Sequence, residues 1–241
     1  VGKLRNSGFE FDLNVKLIQK KDWYWDMSVN GYTYANKMLN LPDEYKVSGM
    51  PNGNQRIYEG KDIYRWEMRQ FAGLDEKGNS LWYMDQDILD DAGNVVGVEK
   101  VTTGDATEAT QYLLEKSALP DFTGGLNTTL RWKSLDLTIM TNFQFGGYGY
   151  DYDFSVISKT YFNLRNIALG YTFPANWMSK IGIKSVRVYF ACDNVFFASK
   201  RKGYDPRTSM GGQGATVALN SVDGTYYSPI RTTSVGLNIN F

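Results

Sequence analysis

Apolar and polar residues alternate one for one over several long stretches of this chain, and a period of two commits those stretches to β-strands with one apolar face. Phe9, Phe11, Leu13, Val15 and Leu17 alternate with Glu10, Asp12, Asn14 and Lys16. After a tight turn at Lys20-Lys21-Asp22, Trp23, Trp25, Met27 and Val29 alternate with Tyr24, Asp26, Ser28 and Asn30, which completes a long hairpin. A second hairpin turns at Lys133-Ser134. Phe122, Leu126, Leu130 and Trp132 form the apolar side of its first arm, and Leu135, Leu137, Ile139, Phe143 and Phe145 that of its second. Thr141 interrupts the apolar side and Met140 the polar side. A third pair covers 163–173 and 185–193. Between its arms 174–183 reads as one short helical turn, with Pro174 at its start and Gly182 at its end. The last strand is 232–241, with Val235, Leu237, Ile239 and Phe241 on one face. Seven strands are expected, and none of the six prolines falls inside one of them.

Such a sheet suits a soluble sandwich with the apolar face as core, or a membrane barrel with that face toward lipid. Three patterns favour the barrel. The strands run about 10–12 residues, where soluble strands most often run ~5–6. Ten residues tilted by ~45° rise roughly 25 Å, the height of an outer-membrane apolar band. The turns after Gln19 and Trp132 are short, whereas the connections 37–120, 146–162 and 194–231 are long. Barrels of this class pair short periplasmic turns with long extracellular loops. Trp23, Trp25, Trp132, Tyr171, Phe173 and Phe241 all fall at the short-turn end, where an interfacial girdle would sit. The polar faces would then line a lumen with Glu10, Asp12, Asn14, Lys16, Asp26, Asn30, Arg131, Asp136, Gln144 and Arg187. A solvated sheet face would show the same alternation.

Composition removes other classes. No apolar run approaches the ~18–20 residues of a spanning helix. The 26 Lys+Arg balance 26 Asp+Glu, which argues against a nucleic-acid partner. One cysteine, Cys192, excludes an internal disulfide framework, and the absence of histidine excludes His-based triads and His-ligated metals. The chain opens on Val1-Gly2-Lys3 and passes almost at once into a strand pattern, without a leader pattern. Either a mature form or a piece of something longer is expected.

The connection 37–120 is read as an extracellular excursion. Residues 63–74 and 81–87 would form a hairpin around Asp75-Glu76-Lys77-Gly78-Asn79, either as two further barrel strands, giving nine, or as part of that excursion. Residues 108–117 are predicted as a short helix. Asp85, Asp87, Asp90 and Asp91 precede Gly93-Asn94 and are candidate calcium ligands, although their spacing is not that of an EF-hand loop and a solvated turn is the preferred reading. No other cofactor is expected. In the run 146–153, Tyr148, Tyr150 and Tyr152 are candidates for stacking on a sugar or a partner, with a Gly-rich loop tip as the plain alternative.

The chain ends on Gly236, two residues, Ile239, one residue and Phe241, a pattern that resembles the β-signal read during outer-membrane assembly. Longer stretches carry a wider resemblance. They are Arg5-Asn6-Ser7-Gly8-Phe9-Glu10; Tyr64-Arg65-Trp66 with Phe71-Ala72-Gly73-Leu74-Asp75 and Leu81-Trp82-Tyr83; Leu119-Pro120-Asp121-Phe122-Thr123-Gly124-Gly125-Leu126; Leu164-Arg165-Asn166-Ile167-Ala168-Leu169-Gly170-Tyr171; and Asp193-Asn194-Val195-Phe196 with Lys202-Gly203-Tyr204-Asp205-Pro206. In this order they resemble the C-terminal part of a SusC/RagA-type TonB-dependent transporter of Bacteroidetes. The resemblance implies an all-β, transmembrane antiparallel β-barrel segment: about seven to nine C-terminal strands of a 22-stranded barrel with long extracellular loops. It implies a single segment over 1–241 that lacks the plug domain. It further implies a plug and the rest of the barrel as partners, a SusD-like lipoprotein lid, the TonB complex acting through the plug, the lipid bilayer of a Gram-negative outer membrane, and import of an oligosaccharide or peptide without enzyme chemistry. A fragment or a segment of a split barrel is expected, because open strand edges are not viable in lipid. The alternative function is a surface-exposed β-sandwich module that binds glycan or protein. A hydrolase working through paired carboxylates is a distant third, since no local motif pairs them.

Overall fold

A computed structural model describes residues 2–151, 155–178, 180, 182–200, 205–207 and 229–241. Two strands, β1 (Lys3–Gln19) and β2 (Trp23–Asn40), form the first hairpin. The excursion follows, with β3 (Met50–Asn52), β4 (Gln55–Ile57), β5 (Arg65–Arg69), β6 (Phe71–Leu74), β7 (Ser80–Leu89), β8 (Val95–Thr103) and β9 (Gln111–Ser117). The chain returns through β10 (Pro120–Trp132) and β11 (Leu135–Gly146), makes a small hairpin from β12 (Tyr148–Asp151) and β13 (Ser155–Ser158), and continues with β14 (Tyr161–Thr172), α1 (Ala175–Met178), β15 (Ser185–Ser199) and β16 (Thr232–Asn240). One antiparallel sheet holds seven of these strands in the order β1-β2-β10-β11-β14-β15-β16.

The register makes the two faces continuous. On one face Val29 pairs with Leu126, Leu130 with Leu137, Leu137 with Leu169, Leu169 with Phe190, and Phe190 with Val235. The other face matches Lys16 with Asp26, Arg131 with Asp136, Asn142 with Asn163, and Asn166 with Asp193. Among the described residues nothing covers the apolar face: Phe9 is 67% exposed, Leu13 54% and Leu237 57%. A sandwich would pack a second sheet against it. The chain instead places its other strands in separate small sheets, β3-β4-β5-β9, β6-β7-β8 and β12-β13. The sandwich reading therefore fails on topology.

Hydroxyls on the apolar face are satisfied within the ladder. Thr141 Oγ1 donates to the Leu126 carbonyl at 2.9 Å, and Thr128 Oγ1 to the Asp26 carbonyl at 2.7 Å while it accepts from the Trp25 indole at 2.8 Å. A polar group so paired costs little beside lipid. This removes the apparent flaw at Thr141. A bulge at Arg165 shifts the β14 register, so Leu164 and Ile167 both face outward although their spacing breaks period two.

Rings gather at both ends of the apolar face. Trp23 stacks on Trp132 at one end, with ring centroids 5.7 Å apart. At the other, Phe11, Phe122, Phe143 and Phe145 form a chain of rings at 5.6–6.5 Å. Eight to ten residues separate the two belts along a strand, roughly 20–25 Å of height at barrel tilt. The phenylalanine belt covers glycines. A Cβ on Gly31 would stand 2.8 Å from Phe122 Cε2, and one on Gly124 would stand 2.7 Å from the Asn30 carbonyl.

The excursion stays out of the wall, because β2 pairs directly with β10 from Trp23↔Trp132 to Tyr32↔Thr123. The wall thus has seven strands here rather than nine. The hairpin around 75–79 forms, with Asp75 Oδ1 accepting from the N–H of Lys77 and Asn79 at 2.8 Å. Its first arm breaks at Gln70, whose flanking strands β5 and β6 join different sheets. The predicted helix at 108–117 is corrected: 111–117 is β9, paired with β5 through Glu67↔Leu113 and Met68↔Tyr112. Pairing with a buried neighbour overrides local helix propensity there. Two prolines do lie in strands: Pro120 is the first residue of β10, and Pro51 sits in the edge strand β3, where its missing N–H costs no ladder bond.

Candidate functional site

Three regions carry candidate functional side chains: the polar face of the wall, the cleft where the excursion meets it, and the terminal strand. On the polar face Asp136 of β11 and Arg187 of β15 reach across β14. Arg187 Nη2 lies 2.5 Å from Asp136 Oδ2, and its Nε donates to Oδ1 at 3.2 Å. The pair passes over Gly170, where a Cβ would run into both side chains. Arg187 also stacks on Tyr189 at 5.2 Å, and the Tyr189 ring lies over Gly236. Deeper along the same face, Asn163 is 2% exposed and donates to Asn142 at 2.8 Å, and Asn142 donates to the Tyr161 hydroxyl at 3.1 Å. Two heights of this face are thus cross-linked by polar groups, as expected for a lumen that meets water or a folded plug.

Removing one partner of the Asp136–Arg187 pair leaves a half-buried charge unpaired. After discounting for solvent, Asp136→Leu is expected to cost about 1–2 kcal/mol. It should lower the melting temperature of the purified full-length protein, while Asp136→Leu combined with Arg187→Met should recover most of the loss.

The cleft has a volume of about 730 Å³ and is walled by Tyr34 and Asn36 of β2, by Asp62 and Arg65, by Glu115 of β9 and by Tyr148. Its charges form one network. Arg65 Nε donates to Asp62 Oδ2 at 2.9 Å, a second Arg65 nitrogen meets Glu115, and Lys61 lies 3.6 Å from Glu115. The Arg65 guanidinium, with Lys61 behind it, holds the Glu115 carboxyl below the usual carboxylate range. Ser117 Oγ donates to Asp62 Oδ1 at 2.7 Å. Asn36 is 6% exposed, accepts from the Ile63 N–H at 3.0 Å, and has no partner for Nδ2 among the described residues. Donors and acceptors of both signs suit a neutral polar chain better than an ion.

Trp66 fastens the excursion to the β12-β13 hairpin. That side chain is fully buried with Ala118, Leu114, Tyr148 and Val156, and its indole donates to the Tyr148 carbonyl at 3.0 Å. Of the tyrosine candidates, Tyr148 therefore serves packing, although it also lines the cleft, and Lys116 Nζ stands 5.3 Å from its ring centre. Tyr150 pairs with Val156 through its backbone. The Tyr150 side chain and all of Tyr152 lie outside the described residues.

The acidic candidates are not brought together. Asp85 accepts from the Tyr112 hydroxyl at 2.5 Å, Asp87 lies further along β7 opposite Val98, and Asp90 accepts from the N–H groups of Ala92 and Asn94 at 2.9 and 2.8 Å. Bonds from Asn94 hold the Asp90 carboxyl below its ordinary range. Five strand residues separate Asp85 from Asp90, on the order of 16 Å. Among the described residues no group of three metal-binding side chains forms. Asp85 and Asp87 lie within β7, and Asp90 caps the turn that follows it.

In the terminal strand Gly236 faces Tyr189, Ile239 pairs with Val186 on the apolar face, and Phe241 follows β16 at 78% exposure. The Asn142–Asn163 pair, the Trp66 seat and the phenylalanine belt were not anticipated from the sequence. Gly31 and Gly124, set in otherwise apolar arms, are the one signal that rings lie across the strands there.

No protein-family model matches the chain. Curated relatives match over all of it. They include TonB-dependent receptor P3 of Formosa agariphila, 23% identical, and TonB-dependent receptor SusC of Bacteroides thetaiotaomicron, 24% identical. The chain spans 29% and 27% of their respective lengths. Among solved structures, the RagAB peptide transporter superposes with a TM-score of 0.70 at 22% identity, and the RagAB peptide importer in its 'open-open' state with 0.73 at 21%. Both cover the whole chain, which spans 30% and 29% of theirs. These relatives are named as receptors and transporters, not enzymes.

Proposed function

Starting from a chain related along its whole length to the SusC/RagA-type TonB-dependent transporters, we propose that it forms part of the wall of an outer-membrane importer. The observation that carries this reading is an apolar face backed by a polar face across seven strands, with ring belts at both heights. Short turns face the periplasm, and the excursion, the cleft and the other long connections face outward. The free edges of β1 and β16 pair with further strands, since unpaired backbone in hydrocarbon costs several kcal/mol per group. A plug fills the lumen against the polar face, and the inner-membrane TonB complex supplies energy by acting on it. A SusD-like lipoprotein covers the outer mouth. The cargo is an oligosaccharide or a peptide that the mixed donors and acceptors of the cleft can meet. No cofactor is required.

The test is genetic. A strain lacking the gene is expected to lose growth on one class of oligosaccharide or peptide, and a strain lacking TonB to lose the same growth. Unimpaired growth of the TonB-deficient strain on that nutrient would contradict energised import.

A further inference from the structure

The short-turn end of the wall carries a charge that transport does not use. Its three turns hold Lys20, Lys21, Lys133, Lys180 and Lys184 against one acid, Asp22. Backbone bonds hold the turns side by side. The Lys133 N–H donates to the Asp22 carbonyl at 2.8 Å, and the Thr172 N–H donates to the Ser134 carbonyl at 2.9 Å. Lys20, Lys21 and Lys133 therefore lie on neighbouring turns. All three are exposed, and none enters an ion pair among the described residues. Directly beside them on the apolar face, Trp23 and Trp132 stack with planes 29° apart and remain 43% and 44% exposed. Lys133 Nζ stands 5.7 Å from the Trp132 ring centre, so its stem runs along the lipid-facing surface while the ammonium stays at the rim.

We infer that this rim binds the phosphate headgroup of an anionic phospholipid in the adjoining leaflet. The stacked indoles lie at the depth where rings partition into the interface, and the lysines lie one turn further out, at headgroup depth. Lysine ammonium groups act as point charges toward phosphate, so no fixed fork is needed. In the excursion at the opposite end, residues 71–103 carry seven acids against two lysines. The inference rests on the orientation proposed above, with the short turns at the phospholipid leaflet.

The experiment uses the full-length transporter purified in detergent, resupplied with equal cardiolipin and phosphatidylethanolamine, and read by native mass spectrometry. Retained cardiolipin is expected to dominate. Lys20→Gln, Lys21→Gln and Lys133→Gln together should weaken its retention by about fivefold per lysine, on the order of a hundredfold in all. A control that removes Lys3, Lys46 and Lys77 in the same way should retain cardiolipin as the parent does. Equal retention of the two lipids, full retention by the rim variant, or an equal loss in the control would overturn the inference. Displacement of the lipid by millimolar glycerol phosphate would also overturn it, as the mark of a simple anion site. Orientation is read separately, in a Cys192→Ser background. A thiol placed by Lys21→Cys should react with a membrane-impermeant maleimide only after the outer membrane is permeabilised. Labelling in intact cells would defeat the orientation whatever the lipid result.

Discussion

Replacing Gly236 with leucine in the full-length protein is expected to abolish most outer-membrane accumulation. Gly236 pairs with Tyr189 across the last two strands, and the tyrosine ring occupies the space a side chain would need. The ring cannot simply swing away. Arg187 lies across it, and Arg187 is itself held by both oxygens of Asp136 two strands further on. A branched side chain at 236 must therefore displace a connected row of groups or push β16 from its register. Overpacking of this kind costs about 1–3 kcal/mol in a rigid site. Here it falls on the strand that the proposed assembly signal occupies. Tyr189→Ala alone should assemble nearly normally, and Tyr189→Ala with Gly236→Leu should restore accumulation. Normal levels of the Gly236→Leu protein would show that the Tyr189 ring places no constraint on the signal.

Trp66→Ala is expected to release the excursion from the β12-β13 hairpin. The indole is the largest fully buried side chain among the described residues and bonds to the β12 backbone across a distance of 82 residues in sequence. Truncating a buried aromatic costs roughly 3–5 kcal/mol, which exceeds what the small β3-β4-β5-β9 sheet can spare. Trp66→Phe keeps most of the volume but loses the bond, and should cost nearer 1 kcal/mol. Hydrogen exchange resolves the two. In the alanine variant, amides of β5, β9 and β12 should lose protection together while β10 and β11 keep theirs. Loss of protection spread evenly over the wall would mean that Trp66 supports the barrel rather than its excursion.

The wall was legible in the sequence because a period of two admits only one assignment of faces once one face is apolar. Phe9 to Leu17 and Trp23 to Val29 could be placed without knowing their neighbours. The excursion was less legible because its elements depend on partners far away in sequence. Residues 108–117 combine Leu113, Leu114, Glu115 and Lys116, all compatible with a helix, and become a strand because β5 offers a ladder. The strand β8 was missed since Gly97 and the run Val95-Val96 break its alternation. The phenylalanine belt draws rings from β1, β10 and β11, which reach one height only through the register. The tyrosine tract was read by composition alone, and Tyr148 proved to belong to the Trp66 seat. The acidic run looked like a ligand loop because its members are close in sequence, yet β7 strings them along a strand.

We propose that the seven-stranded sheet is a membrane wall with lipid on one face and an aqueous lumen on the other. Spin labels placed singly from 135 to 139 in the full-length protein, reconstituted in bilayers, test it most directly. Labels at Leu135, Leu137 and Ile139 should collide with dissolved oxygen and be shielded from a water-soluble nickel complex. Labels at Asp136 and Thr138 should show the reverse, in strict alternation. Equal access of the nickel complex to both sets would place both faces in water and contradict the membrane wall.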